Sequence, residues 1–484
     1  MDKVAMKNAT VCSIHISQRI FQKLYAHLFH GGQDEHGAVI AAGVHEANGE
    51  LRLLVREVFL AKDGIDYVPG KYGYRMLRAE FIYDKIQYCR EKKLCYIAVH
   101  NHGGTDSVDF SADDLTSHER GYPALLDVMQ GSPVGALVLA ANAAAADVWV
   151  PGGQRLELKE LRVIGPVVRR IFSRKKDVRY ASTTTYDRQL LMFGNAGQKI
   201  LSESKVGVIG AGGVGSLLVE YLSRLGVGHI LVADDDRIEL SNLSRIVGST
   251  YWDARFPFTY KRMPGWIRKA GLRFSAKKAA IAQRVAKQAN PNVAIEAIFG
   301  NFAYKEIALR FLDCDFLFLA ADSMQARLVF NAIVHQYLIP GIQIGSKILV
   351  EERSGLLEDA YSVYRWIIPG ESCLWCNGLI SRNGLAVEAK TERERRAQDY
   401  GTQAPSPSVI TLNAVGASHA VNDFLMSFLG VANENVTTDF RRFKHVSREA
   451  LIEQPRKDDD CNECGRGENS RFAMAGIREL PTAA

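Results

Sequence analysis

The chain has 484 residues, of which 47% are hydrophobic and 24% charged, with 41 glycines and 14 prolines. This composition excludes a mainly disordered, collagen-like or coiled-coil chain, and at about 150 residues per domain the length suffices for about three compact units. No apolar run reaches the roughly 18 residues of a membrane span, and the start MDKVAMKNATVCSIHIS lacks a basic segment followed by an apolar stretch, so a cytoplasmic, reducing setting without membrane partners is expected. The net charge of +6 permits an acidic or nucleotide ligand without requiring nucleic acid.

Apolar, β-branched runs at 37–43, 51–61, 94–99 and 134–141 predict strands, and 74–93 carries a helical pattern. Together they predict a mixed sheet packed on helices over residues 1–153, ending near Pro151-Gly152-Gly153. Residues 154–185 cluster charge at Arg169, Arg170, Arg174, Lys175 and Lys176 before Ser182-Thr183-Thr184-Thr185, which predicts a linker and lead-in. A further unit over 186–484 opens with strand 205–209, helix 214–225 and strand 229–233, a βαβ pattern with a glycine-rich turn inside it, and strand 316–320 continues the series.

Cysteine usage points to metal. Cys373 and Cys376 form one Cys-x-x-Cys pair, and Cys461 and Cys464 form another. Two residues between sulfurs let one turn present both thiolates to one ion, so two such turns complete the closed shell of a structural zinc. Cys12, Cys89, Cys95 and Cys314 sit among apolar neighbours and read as small buried residues.

His100-Asn101-His102 comes directly after the apolar run 94–99, and Ser111-Ala112-Asp113-Asp114 stands next in a turn-rich stretch. Histidines one residue apart on an extended chain share a face, and a returning carboxylate makes a third ligand, leaving the open position that a catalytic zinc needs for water. Glu35, two residues before the first strand, is the candidate base. The pattern resembles the JAB/MPN (JAMM) metalloprotease family over about residues 10–150. That resemblance implies that His100, His102 and Asp114 hold a catalytic zinc, that Glu35 takes and returns the water proton, and that Ser111 helps to polarise the scissile carbonyl. The sequence departs from the family pattern in two places. The spacing from His102 to Asp114 is one residue longer, which leaves Asp113 as an alternative ligand, and Gly103 replaces the common proline.

Gly210, Gly212, Gly213 and Gly215 lie between a predicted strand and helix, where backbone N–H groups can cradle phosphate. Alone, this fingerprint with Asp234 as ribose ligand suggests NAD. The residues beyond it argue for ATP: Asp234-Asp235-Asp236, Asn242, Arg245, Lys278, Asp322 and Arg327 bring several acids and cations to one pocket, suited to Mg²⁺ and a triphosphate. With Tyr186-Asp187-Arg188-Gln189, Gly194 and Asn290-Pro291, this stretch resembles the ThiF/MoeB-like adenylyltransferases, whose fold ubiquitin-activating enzymes share, from about 186 to 430. The resemblance implies a Rossmann-like doubly wound α/β fold with a structural zinc on the two cysteine pairs. It also implies ATP and Mg²⁺ as cofactors: Asp234 on the ribose, Asp236 in the same acidic set, Asn242, Arg245 and Lys278 on phosphates, Asp322 on Mg²⁺, and Arg188 reaching the other site of a homodimer. The family's chemistry is attack by the C-terminal carboxylate of a ubiquitin-like β-grasp protein on the α-phosphate of ATP, giving an acyl adenylate and pyrophosphate.

Many such relatives then load a cysteine beyond the first zinc pair, yet residues 377–460 contain none. An adenylate-only enzyme is therefore expected, passing its activated tail to an external thiol or conjugating enzyme. The stretch 251–274 reads as an insertion, in which Arg255, Lys261, Arg262 and Arg268 alternate with Tyr251, Trp252, Phe256 and Trp266. It is taken as a flap over the nucleotide or a dock for an acidic partner, rather than a nucleic-acid grip. The combined expectation is a bifunctional enzyme of a bacterial ubiquitin-like system, a zinc (iso)peptidase joined to an adenylyltransferase. The alternatives are adenylation of a short peptide or an RNA-linked carboxylate, and a non-catalytic nucleotide-binding scaffold.

Overall fold

The computed structural model describes residues 9–31, 35–68, 76–174, 184–351, 354–371, 373–390, 407–433, 436 and 439–483. They form two compact units. One comprises Met1–Asp177, His335–Leu338 and Arg471–Glu479, and the other comprises Val178–Val334, Ile339–Ser470 and Leu480–Ala484.

In the first unit, Cys12, Ile14 and Ile16 alternate with Ser13, His15 and Ser17 along the strand Val11–Ser17, and both faces are buried. This strand pairs in parallel with Glu50–Leu60 on one side and with Arg155–Ile164 on the other. The sheet, running through Gly37–Ala47, Cys95–Asn101, Val134–Leu139 and Ala144–Trp149, thereby closes into a barrel, with Arg169–Ile171 added outside Arg155–Ile164. Closure removes the exposed edges that an open sheet would leave.

The expected mixed sheet is present and closes on itself, and one expectation is corrected: residues 154–185 are not all linker, because Arg155–Ile164 is one of the barrel's strands. The physical reason is that part of the charge in this stretch is buried in pairs. The buried Arg162 guanidinium donates to buried Glu160, the Arg170 Nε lies 3.5 Å from Glu160 Oε2, and the exposed Lys159 donates to the buried Glu50 Oε2 at 2.6 Å. Buried ions tolerated in this way look, in a sequence, like a solvated linker. Lys175, Lys176, Ser182 and Thr183 lie outside the described residues, as do positions 74–75 of the helical pattern, which is observed as Ala79–Lys92.

The second unit carries the expected βαβ series. Strands Ala294–Ile298, His229–Ala233, Lys205–Ile209, Phe316–Leu319 and Gly341–Val350 lie side by side in that order, all parallel. Leu357–Ile367, Phe440–Lys444 and Glu449–Glu453 extend the sheet antiparallel. The apolar runs of its central strands are buried on both faces, as the helices of a parallel sheet require. Helix Ile410–Phe428 packs Phe424 and Phe428 against Phe316, with ring centroids 4.7 and 6.1 Å apart. Chain order reverses at Lys205–Ile209, whose neighbours are His229–Ala233 and Phe316–Leu319, and this switch point opens the crevice where parallel sheets bind ligands.

Candidate functional site

At the switch point, Gly210 turns the chain with φ +95° between strand Lys205–Ile209 and helix Gly213–Arg224. A side chain there would be strained, and a Cβ on Gly215 would fall 1.8 Å from the Gly210 carbonyl oxygen, so only glycine lets the helix start this close to the turn. Asp234 closes the next strand. Its Oδ2 accepts from Ala211 N at 2.7 Å and its Oδ1 from Asp236 N at 2.9 Å. Burial pushes the Asp234 carboxyl up, against the pull of the Lys278 charge. Lys278, the first residue of helix Lys278–Ala289, donates to Asp236 Oδ2 at 2.6 Å.

Asn242 is buried in a single 3-10 turn and accepts from Glu239 N at 3.2 Å, which caps that turn. Arg245 donates to Ser241 O at 2.8 Å, and its stem passes within 3.3 Å of where a Gly213 Cβ would be. Asp322 is exposed beyond Phe316–Leu319, and its charge opposes the fall that burial imposes on the Arg327 guanidinium. Arg188 is exposed on helix Asp187–Glu203. The structure thus gathers Gly210, Gly215, Asp234, Asp236 and Lys278 around one turn, and Arg245 beside Gly213.

Asn413 was not foreseen. It comes from the apolar helix Ile410–Phe428, accepts from the Ser346 hydroxyl at 2.6 Å, and would lie 2.4 Å from a Cβ on Gly213. Far from the glycine turn in sequence and set in an apolar helix, it gave no local signal. Glu388 is a similar case: its carboxylate accepts from Met324 N at 2.6 Å and Gln325 N at 2.9 Å, which caps helix Met324–Tyr337.

The two cysteine pairs meet. Sulfur separations are 3.3 Å for Cys373 and Cys376, 3.9 Å for Cys373 and Cys461, and 3.6 Å for Cys376 and Cys464. A zinc–sulfur bond of about 2.3 Å gives tetrahedral edges of about 3.8 Å, so four thiolates at these distances fit one zinc. Asn377 ties the turns together, donating to Cys373 O and Arg456 O and accepting from Arg456 N at 2.8 Å. The insertion region 251–274 is anchored by a bidentate Arg284–Asp253 pair at 2.9 and 2.7 Å, while Trp252 and Trp266 are exposed.

In the first unit, strand Cys95–Asn101 delivers His100, and His102 stands just past its end. Their Nε2 atoms are 3.1 Å apart, and Asp114 Oδ2 lies 3.7 Å from the first and 3.5 Å from the second. Asp113, the alternative ligand, is exposed one position earlier in helix Ala112–Val128. Asp114 is aimed by the helix cap: Ser111 donates its hydroxyl to Asp114 Oδ2 at 2.6 Å and accepts from Asp114 N at 3.1 Å. In this arrangement the Ser111 hydroxyl serves the cap. The His100 ring is the main group holding the Asp114 carboxyl well below the usual carboxylate range. Asp109 O lies 3.2 Å from His102 Nδ1, which leaves Nε2 to face the cluster.

Glu35 reaches the same place from another strand. Gly37 pairs with His100 across the sheet, His36 N donates to Asn101 Oδ1 at 2.7 Å, and Glu35 Oε1 comes within 3.8 Å of His102 Nε2. Two imidazoles, one carboxylate and a second carboxylate at the open side make the donor set of a three-ligand zinc with a neighbouring base. An open cleft of about 390 Å³ lies beside His102, lined by Ser107, Val108, Asp109 and Arg174.

Residues 186–465, more than half of the chain, match the ThiF family. Similar proteins include the sulfur carrier protein ThiS adenylyltransferase of Bacillus subtilis, 30% identical over 197 residues, which are 40% of this chain and 50% of that one. The SAMP-activating enzyme E1 of Haloferax volcanii is 28% identical over 186 residues, 38% of this chain and 61% of that one. The chain therefore spans about half the length of the curated relatives it matches. Among solved structures, E. coli MccB with ATP aligns over 59% of this chain and 75% of its own at 18% identity and a TM-score of 0.42, a likeness too distant to bear on ligand or substrate. On the strength of residues 186–465, the chain belongs to the ThiF family.

Proposed function

We propose that this chain adenylates the C-terminal carboxylate of a ubiquitin-like β-grasp protein, and that its N-terminal unit is a JAB/MPN-type zinc (iso)peptidase acting on the same kind of tail. The observation that supports the first part most is the glycine turn backed by Asp234, Asp236 and Lys278 in a ThiF family chain. The relatives' names, with ThiS and the SAMP proteins as their partners, favour a small carrier or modifier over a metabolite.

In this reading Gly210, Gly212, Gly213 and Gly215 bring backbone N–H groups to phosphate, and Asp234 accepts from the ribose hydroxyls. Arg245 and Lys278 neutralise the triphosphate, with Lys278 moving from Asp236 to do so, and Asn242 hydrogen-bonds a phosphate oxygen, while Asp236 and Asp322 would hold Mg²⁺. When bound there, Mg²⁺ would offset the negative charge that develops on the leaving pyrophosphate. The tail carboxylate oxygen forms a bond to the α-phosphorus, and the bond from that phosphorus to the bridging oxygen breaks, giving acyl adenylate and pyrophosphate. Arg188 would complete the other site of a homodimer. With no cysteine between 377 and 460, the acyl group passes straight to an external thiol, amine or conjugating enzyme.

In the N-terminal unit, His100, His102 and Asp114 would hold a zinc that lowers the pKa of a water. Glu35 takes a proton at the open side of that cluster and returns it to the leaving amine. The Cys373, Cys376, Cys461 and Cys464 set would hold a second, structural zinc.

Pyrophosphate exchange tests the adenylation. Labelled pyrophosphate should enter ATP only when a β-grasp protein with a free C-terminal tail is present, and exchange without any carboxylate donor, or none with every tail tried, would overturn the reading.

A further inference from the structure

The N-terminal unit holds a second group of ligating side chains that the chemistry above does not use. His30 lies just beyond helix Gln18–Leu28, His36 just before strand Gly37–Ala47, and Asp63 in the turn after strand Glu50–Leu60. One ligand atom from each lies within 4.8 Å of the others. His30 Nε2 is 4.0 Å from Asp63 Oδ2, and the His30 and His36 ring centroids are 4.1 Å apart.

His30 Nδ1 lies 2.7 Å from His27 O, and a ring that donates there carries its lone pair on Nε2, the atom turned toward Asp63. His36 is only 3% exposed and is anchored through its own backbone to Asn101, so its position is set by the barrel. Two imidazoles and one carboxylate form the donor set that zinc favours, whereas magnesium and calcium favour oxygen ligands alone. Three protein ligands leave a position for water. An ordinary histidine–aspartate pair would explain His30 and Asp63, but not the convergence of a second, buried imidazole on them.

We propose that His30, His36 and Asp63 form a further divalent-cation site of zinc type, separate from the His100, His102 and Asp114 group and from the cysteine set. Bound metal there would tether His36, and with it the adjoining Glu35, to the end of helix Gln18–Leu28. The site therefore stiffens the base of the peptidase proposed above, but its existence does not depend on that activity.

The test is metal content of the full chain, stripped with chelator, dialysed against buffered low-micromolar free zinc and analysed by elemental mass spectrometry. H30A/D63A alters two exposed side chains and spares the fold, unlike a change at buried His36. It should hold about one zinc per chain fewer than the parent. The same loss should appear when H30A/D63A is added to an H100A/H102A background, which isolates it from the proposed catalytic site. Equal zinc in the parent and H30A/D63A, or a difference seen only at millimolar zinc, would overturn the proposal. Failure of the peptidase reading would show separately, as no loss of zinc on H100A/H102A.

Discussion

Glu35 and Lys278 are the side chains whose removal separates chemistry from architecture. Glu35 stands half-buried at the edge of the histidine cluster without being one of its three converging ligands, so Glu35→Gln should keep the zinc of that unit and lose peptide hydrolysis by about 10²-fold or more. Cleavage of a tail-extended β-grasp substrate, with zinc measured on the same sample, checks both halves. Lys278 donates to Asp236, and Lys278→Ala should slow pyrophosphate exchange by about 10²-fold, because one cation is withdrawn from the triphosphate. The buried thiols bear on the fate of the acyl adenylate. Burial pushes Cys12 and Cys89 up to about 12, and Cys95 well above its ordinary value, so these are thiols and not thiolates near neutral pH. The reaction with ATP and a β-grasp protein should accordingly leave no adduct that a reducing agent removes. A band on a non-reducing gel that disappears with added thiol would sink the adenylate-only scheme.

Strand by strand, the sequence was most legible where a strand is apolar on both faces. Residues 205–209 and 229–233 appear with the bounds expected, because a parallel strand buried on both sides has no polar alternation to confuse it. The glycine turn was legible for a different reason: positions 210 and 215 admit no side chain. Strands Val11–Ser17 and Arg155–Ile164 were not read, since polar residues run through both and several are held by partners far along the chain, such as Ser13 and Lys159 on Glu50. Long-range ion pairs leave no local pattern. The same physics gives a pH prediction for the base of the insertion. Burial alone would raise the Asp253 carboxyl, but hydrogen bonds from Arg284 and Thr250 outweigh it and hold the carboxyl below its ordinary value. A carboxyl depressed in the folded state adds stability above its unfolded pKa of about 3.9 and loses it as pH falls through the folded value. Arg284→Met should therefore cost about 1 kcal/mol at neutral pH, a modest figure because the guanidinium side chain is 41% exposed. Its melting temperature should approach that of the parent as pH drops below about 4. A deficit that stays constant across this range would mean that packing, not charge, holds the insertion.

Across the molecule, two buried cores in one chain predict that the two proposed activities are separable. Each unit has its own buried sheet, and the residues proposed for each reaction fall within one unit: Glu35, His100, His102 and Asp114 in the first, Gly210 to Asp322 in the second. Mutations without shared partners add, whereas those that share a network do not. Glu35→Gln should thus leave pyrophosphate exchange at the parent rate, and Lys278→Ala should leave tail cleavage at the parent rate. The cysteine set gives the complementary handle, because Cys373, Cys376, Cys461 and Cys464 all belong to the second unit. Replacing Cys461 by Ser removes one of the four thiolates of the proposed structural zinc site, where metal binding would be coupled to folding, so it should lower the thermal midpoint of the second unit and abolish exchange. The first unit has no such dependence, and in the same variant tail cleavage should persist once zinc is supplied. Loss of both activities in the Cys461 variant would mean that the two units fold as one, and the separate-core reading would fail.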